Sequence, residues 1–257
     1  MNPRFARNSV ARCGFTLIEL LVVFAIISLL AAMILAAISA GKTRTKIAMT
    51  RTQLGRIDLA LTGYQSLYGQ LPVSSQAKTA AIANGGSFTY GGTYQDAAGN
   101  PLLIGTPGYA ANNSEVMSVL LDVESFAGTP TINVGHIKNQ KGEKFLRDVL
   151  VSARDPGGVG DDGVFRDYFG SPYVISLNLD EGGRCADALY RRQSVSQTTV
   201  GSATGFDGLM NATANPNSDS FSSAGRFMIW SVGPDKKADP GTKANAGVNK
   251  DNIIGWR

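Results

Sequence analysis

Apolar and polar positions divide the chain into three regimes. From Leu20 to Gly41 run 22 residues without a charge, which as a helix extend about 33 Å, enough to cross a hydrocarbon core. Beyond it the pattern turns periodic. Ile47, Leu54, Ile57, Leu61, Tyr64, Leu67 and Tyr68 recur at spacings of 7, 3, 4, 3, 3 and 1, a stripe suited to one helix face. Leu71-Pro72 is the first clear stop, since proline cannot continue the hydrogen-bond ladder. One helix from Phe15 to Tyr68 is predicted, apolar all round at first and amphipathic afterwards. The second half needs a folded body to cover its stripe.

The third regime supplies that body. Residues 73–112, rich in Gly, Ala, Ser, Thr and Asn, read as a long irregular segment with one hairpin. A short helix follows, capped by Asn113 or Ser114, with Val116, Val119 and Leu120 as its buried face. Residues 144–151 fit a strand or a single helical turn. The Gly-rich acidic stretch from Asp155 to Asp167 reads as a solvated turn rather than a carboxylate site. Tyr173–Leu177 and Arg226–Ser231 read as strands, and the polar run 180–224 as a mobile surface loop.

Charge and rare residues narrow the chemistry. The formal charge of +4 is concentrated around the apolar run: three arginines precede it and five basic residues follow between 42 and 58, whereas residues 59–257 carry 16 basic and 18 acidic side chains. A broad phosphate-binding face is therefore not expected. Cys13 and Cys185 make no disulfide framework, and Cys185 reads as a small filler residue. The single histidine, His136, sits in a polar stretch without an evident partner and reads as a loop residue. No nucleophile elbow, phosphate-cradling loop or set of metal-ligating histidines is present, so an enzyme is not expected.

The entrance to the apolar run is the most specific feature. A secretory signal has an apolar region of only about 7–15 residues, although Ala36, Ala37, Ser39 and Ala40 imitate a cleavage site. Glu19 lies one step inside the entrance. A carboxylate at bilayer depth is costly unless paired, and inexpensive at headgroup depth; position alone leaves both readings open. The neighbourhood, Gly14-Phe15-Thr16-Leu17-Ile18-Glu19 after a short basic leader, resembles the type III signal of type IV pilins and type II secretion pseudopilins. The resemblance implies that a prepilin peptidase cuts between Gly14 and Phe15 on the cytoplasmic side and methylates the new amine of Phe15. It further implies that Glu19 pairs with that amine on an adjacent subunit during filament assembly. The distal basic flank outnumbers the leader, so a naive positive-inside count places the C-terminal domain in the cytoplasm; the peptidase requires the opposite orientation.

Later stretches extend the resemblance. Asp167–Tyr173, Phe227–Asp235 and Asp251–Trp256 are similar to the D-x-W-G-x-P-Y, S-x-G-x-D and D-[DN]-I-x-x-W segments of the major pseudopilin of type II secretion, and Gln70-Leu71-Pro72 to the end of its long helix, with Leu71 replacing Tyr. That resemblance implies an α+β, pilin-like fold: one long N-terminal helix packed on a small antiparallel sheet with long loops. The implied organisation is a leader 1–14, a transmembrane and filament-core helix 15–41, its amphipathic continuation 42–70 and a periplasmic domain 71–257. It also implies a calcium site at Asp235, Asp239 and Asp251, with carbonyls near Val232 and Lys237, although Lys236 and Lys237 oppose a cation there. Partners would be the peptidase, further copies, minor pseudopilins and an inner-membrane assembly platform. The segments 73–150 and 180–224 roughly double the globular domain, which leaves a major or a minor subunit open. A surface type IV pilin for adhesion, motility or DNA uptake is the alternative; an exported module with an ordinary anchor is a more distant one.

Overall fold

A computed structural model describes residues 14–147, 149–180 and 182–256; residues 1–13 of the leader, with Cys13, lie outside them. The first elements are α1 (Leu17–Tyr68), α2 (Ser75–Ala83), β1 (Ser87–Tyr90), β2 (Gly92–Gln95), β3 (Pro101–Ile104) and α3 (Ser114–Leu120). They are followed by β4 (Ser125–Phe126), β5 (Thr129–Pro130), β6 (Val174–Asn178), β7 (Arg184–Cys185), α4 (Gln193–Ser196), β8 (Met210–Asn211), β9 (Phe221–Ala224), β10 (Phe227–Ser231) and β11 (Ile253–Ile254). The chain divides into two compact units between Arg44 and Thr45.

In the first unit, α1 is long and apolar enough to cross a membrane. Its large apolar side chains from Leu17 to Ile38 are 44–82% exposed, as expected of a segment whose solvent is lipid or other helices.

In the second unit, the amphipathic half of α1 buries Leu54, Ile57, Ala60, Leu61 and Tyr64. Of the predicted stripe, Ile47 and Tyr68 are partly buried and Leu67 is exposed. Polar groups anchor the same face: Gln53 Nε2 donates to the Gly157 carbonyl at 2.6 Å, and the Tyr173 hydroxyl donates to Gln53 Oε1 at 2.5 Å. The helix ends at Gly69, whose φ of 67° is the left-handed turn that glycine adopts without a Cβ penalty.

The central sheet is antiparallel, in the order β1-β6-β10-β11, with Phe88 opposite Leu177 and Ile229 opposite Ile175. Side chains alternate between faces along each strand. One face sends Phe88, Tyr90, Ile175, Leu177, Ile229 and Ile253 into the core that α1 joins. The other sends Val174, Met228 and Trp230 into a second core with Cys185, Leu189, Tyr190, Leu209 and Phe221. The run 180–224, expected as a mobile loop, therefore folds over the outer face of the sheet, building the small sheet β7-β9-β8. Its few large apolar residues suffice because Trp230 and Tyr190 meet edge to face at 5.0 Å.

Two further expectations change. Residues 73–112 hold α2 and β1 as well as the hairpin β2-β3. In α2, the Ser74 hydroxyl accepts from the Ala77 N–H at 3.1 Å and the buried face is Ala77, Ala80 and Ala81; alanine gives little hydropathy contrast, so no periodicity showed. Of residues 144–151, expected as a strand or a helical turn, Phe145 and Leu146 donate their N–H groups to the Leu120 carbonyl, and Leu150 makes a single parallel β-bridge with Val159, so the described residues pair as a strand only at that one point. The short helix appears where expected, and Met117 and Ser118 join its buried face.

Candidate functional site

At the N-terminal site, Gly14 and Phe15 precede α1, and Phe15 is 81% exposed. Thr16 is the residue just before the helix. Its N–H and hydroxyl both donate to Glu19 Oε2 at 2.8 Å, and the Glu19 N–H donates to Thr16 Oγ1 at 3.2 Å. This is a capping box, in which a threonine and a glutamate three residues later satisfy each other's first-turn donors. Glu19 thus has a partner inside its own chain, supplied by Thr16, a residue the motif reading passed over although T-x-x-E at a helix start spells it out.

The C-terminal site is built by β10, β11 and the loop between them. Asp167 is fully buried. Its Oδ1 accepts the N–H groups of Phe169 and Ser171 at 2.8 and 2.9 Å, and Oδ2 accepts the Ser231 hydroxyl at 2.5 Å. Ser231 Oγ in turn accepts the Gly233 N–H at 3.0 Å. The stretch expected as a solvated acidic turn therefore ends in a buried carboxylate that fastens one loop to the last long strand. Burial pushes the Asp167 carboxyl above its ordinary range, against the opposing pull of its hydrogen bonds. Gly233 has a φ of 72°, and a Cβ there would lie 2.2 Å from the Asp251 carbonyl oxygen; only glycine fits.

Past Gly233 the three predicted aspartates separate into a pair and a single residue. The Asp235 N–H donates to Asp251 Oδ2 at 3.3 Å. Burial raises the carboxyl of Asp235, with the Asp251 charge adding to it while the Lys237 N–H and charge oppose it. Burial likewise raises Asp251. Asp239 is engaged in its own turn, accepting from the Gly241 N–H at 2.9 Å and the Thr242 hydroxyl at 2.7 Å. Among the described residues, no group of three or more His, Cys, Asp or Glu side chains is arranged to hold a metal ion. The organiser of the loop is Asn249, buried and donating to the carbonyls of Asp239 and Thr242 while accepting the Asp239 N–H. No sequence signal marked it.

Three other candidates also find their surroundings. Cys185 is buried, and burial raises its thiol. Asn113 stands at the N-cap of α3 but its side chain makes no cap bond; it donates to the Phe165 and Tyr173 carbonyls and accepts the Phe165 N–H instead. His136, expected to lack a partner, lies between two carboxylates: Nδ1 is 2.7 Å from Asp122 Oδ1 and Nε2 is 3.3 Å from Glu124 Oε1.

No curated protein and no solved structure matches the chain. Residues 10–35 match the family described as the prokaryotic N-terminal methylation motif. The match spans Gly14, Phe15, Thr16, Glu19 and the start of the apolar helix, so the N-terminal segment carries a methylation motif of the kind that type IV pilin-like proteins present to prepilin peptidase, which supports the pilin superfamily.

Proposed function

We propose that this chain is a structural subunit of a type II secretion pseudopilus-like filament, with no catalysis of its own. Prepilin peptidase cuts it between Gly14 and Phe15 and methylates the Phe15 amine. The subunit waits in the inner membrane on α1, with its C-terminal domain in the periplasm. It then joins further copies and minor pseudopilins at the assembly platform, in a filament that pushes exported proteins outward. The observation that carries the reading is the match over residues 10–35, which contains both the cut site and the charge-bearing Glu19. In the filament, the Glu19 carboxylate leaves its capping box to meet the methylated ammonium of a neighbour. A charge pair shielded from water favours only the stagger in which both members are present. The secretion-type reading is supported by the bond from Asp167 to Ser231, which joins two of the stretches that resemble the major pseudopilin, and by Cys185, buried and free, which cannot close the C-terminal disulfide loop of many surface pilins.

Calcium belongs to the same proposal. Asp235 and Asp251 are the carboxylates left available to a hard cation, which needs about six to eight oxygens; backbone carbonyls of the loop would complete the set, and Asp239 would stay in its own turn. The ion would neutralise two carboxylates that burial disfavours and brace a loop with few apolar contacts. Isothermal titration with calcium tests this part: heat of binding lost in Asp251→Asn is expected, and no heat from the wild type overturns it. Mass spectrometry of the membrane-extracted protein tests the whole. An N-terminus at methylated Phe15 is expected; a start near Gly41 is the result of an ordinary signal and refutes the proposal.

A further inference from the structure

A cleft within the second compact unit holds cations without a counter-ion. Arg191 and Arg192 line a cavity of about 260 Å³ together with Asn84, Thr106 and Asp219. The Arg191 guanidinium is fixed by its own chain: Nε donates to the Asp219 carbonyl at 3.1 Å and Nη1 to the Asn84 carbonyl at 3.4 Å, which leaves Nη2 for a ligand. Arg192 is exposed, and its side chain has no hydrogen-bond or ion-pair partner among the described residues. Thr106 is buried. Its hydroxyl accepts the Thr89 N–H at 2.7 Å and keeps its own hydrogen for another acceptor.

Charge and shape narrow the ligand. The arginines contribute +2 and Asp219 −1, so the cavity carries a net +1. That matches a monoanion better than a phosphomonoester, which carries about −1.5 to −2, and the planar arginine fork fits the two oxygens of a carboxylate. Arg192 also lines an adjoining recess of about 60 Å³, whose walls include Leu102, Leu103, Ile104 and Leu189. Successive side chains of a strand point to opposite faces. Three consecutive residues of β3 on one recess therefore place the edge of the strand against it, rather than one face. Among the described residues β3 pairs with β2 alone, so that edge keeps unpaired backbone groups to which an extended peptide can add.

We propose that this cleft binds the C-terminal carboxylate of a partner peptide that ends in an apolar residue. Arg191 and Arg192 hold the carboxylate, the recess takes the last side chain, and the peptide backbone lies beside β3. Every residue of the site belongs to the second compact unit, so the proposal is independent of the membrane anchor and of the filament.

The test titrates N-acetyl-Ala-Ala-Leu into the full chain in a non-ionic detergent, followed by isothermal calorimetry. The free acid is expected to bind at least about tenfold more tightly than its C-terminal amide, because hydrogen bonds to a charged group are the stronger ones. Serine in place of the last leucine is expected to weaken binding about tenfold through lost apolar burial. N-acetyl-leucine, which lacks most of the main chain, is expected to bind more weakly than the tripeptide. Arg192→Gln is expected to lose the preference for the acid at an unchanged melting temperature, and Arg192→Lys to keep part of it. Equal affinity for acid and amide, no binding of the acid at millimolar concentration, or a preference surviving in Arg192→Gln overturns the proposal. Inorganic phosphate bound as tightly as the acid would assign the arginines to phosphate, and N-acetyl-leucine bound as tightly as the tripeptide would assign them to a small organic acid; either result overturns the peptide site.

Discussion

Replacing Asp167 with alanine removes the acceptor that fastens the 155–173 loop to the last long strand. Three donors lose their partner: the N–H groups of Phe169 and Ser171 and the Ser231 hydroxyl. A buried donor left without an acceptor costs about 1–3 kcal/mol. Phe169 is only partly buried, so water can reach its N–H, and the Ser231 hydroxyl can rotate. The expected loss is therefore about 3–5 kcal/mol rather than the full sum. In a domain of this size that lowers the melting temperature by on the order of 10 °C. Asp167→Asn behaves differently, because both backbone donors bind the same oxygen, Oδ1, and an amide oxygen can keep them. It also removes a charge that burial disfavours, so its cost is expected within about 1 kcal/mol. The pH dependence carries a sign. Burial raises the folded pKa of Asp167 above its ordinary value of 3.8, so the folded state holds the proton more tightly than the unfolded state. Its contribution to stability therefore falls as pH rises from 3.8 through the raised value, and is level above it. The asparagine variant lacks that slope. The assay is thermal unfolding of the purified chain followed by tryptophan fluorescence, with Trp230 adjoining Ser231 in the strand. An alanine variant melting within a few degrees of the wild type, or an asparagine variant as damaged as alanine, would refute the reasoning.

Three further perturbations separate roles that the geometry distinguishes. Thr16→Ala removes a helix cap worth about 1 kcal/mol but keeps the Glu19 charge, whereas Glu19→Gln keeps an acceptor for Thr16 and removes the charge; circular dichroism should show fraying only in the first, and electron microscopy should show failed filaments only in the second. Normal filaments from Glu19→Gln would exclude the charge pair. The Asp122 hydrogen bond and charge, with Glu124 adding, raise the pKa of His136 above its ordinary 6.5; its stabilising contribution is complete below that ordinary value and disappears as pH rises through the folded one. The difference in melting temperature between the wild type and His136→Gln should shrink to nothing at alkaline pH, and a difference independent of pH would contradict the ion-pair account. Gly233→Ala forces a Cβ to within 2.2 Å of the Asp251 carbonyl oxygen, at a backbone angle that strains any other residue by about 1–3 kcal/mol. Lower melting temperature and weaker calcium binding are expected together, and an unperturbed melt would show that the loop can shift aside.

The long helix was legible because its signals are local: an uncharged run, a 3-4 stripe and a Leu71-Pro72 stop act on neighbours a few residues away. Thr16 and Glu19 are legible for the same reason, since a capping box lies within one turn. The strands around Ile175 and Ile229 were also readable from short apolar runs. What the sequence hid depends on partners far along the chain. The 180–224 run looks solvated because it has too few apolar residues to form a core alone; it folds only because the second face of the sheet offers Val174, Met228 and Trp230. Asp167 looks like a turn residue until Ser231, 64 positions later, donates to it. The aspartates of the last loop share a composition but not a place: Asp235 adjoins Asp251, and Asn249 holds Asp239 elsewhere. Periodicity and caps are properties of a segment, whereas burial of a polar group is a property of whatever the fold lays over it, and that is decided only in three dimensions.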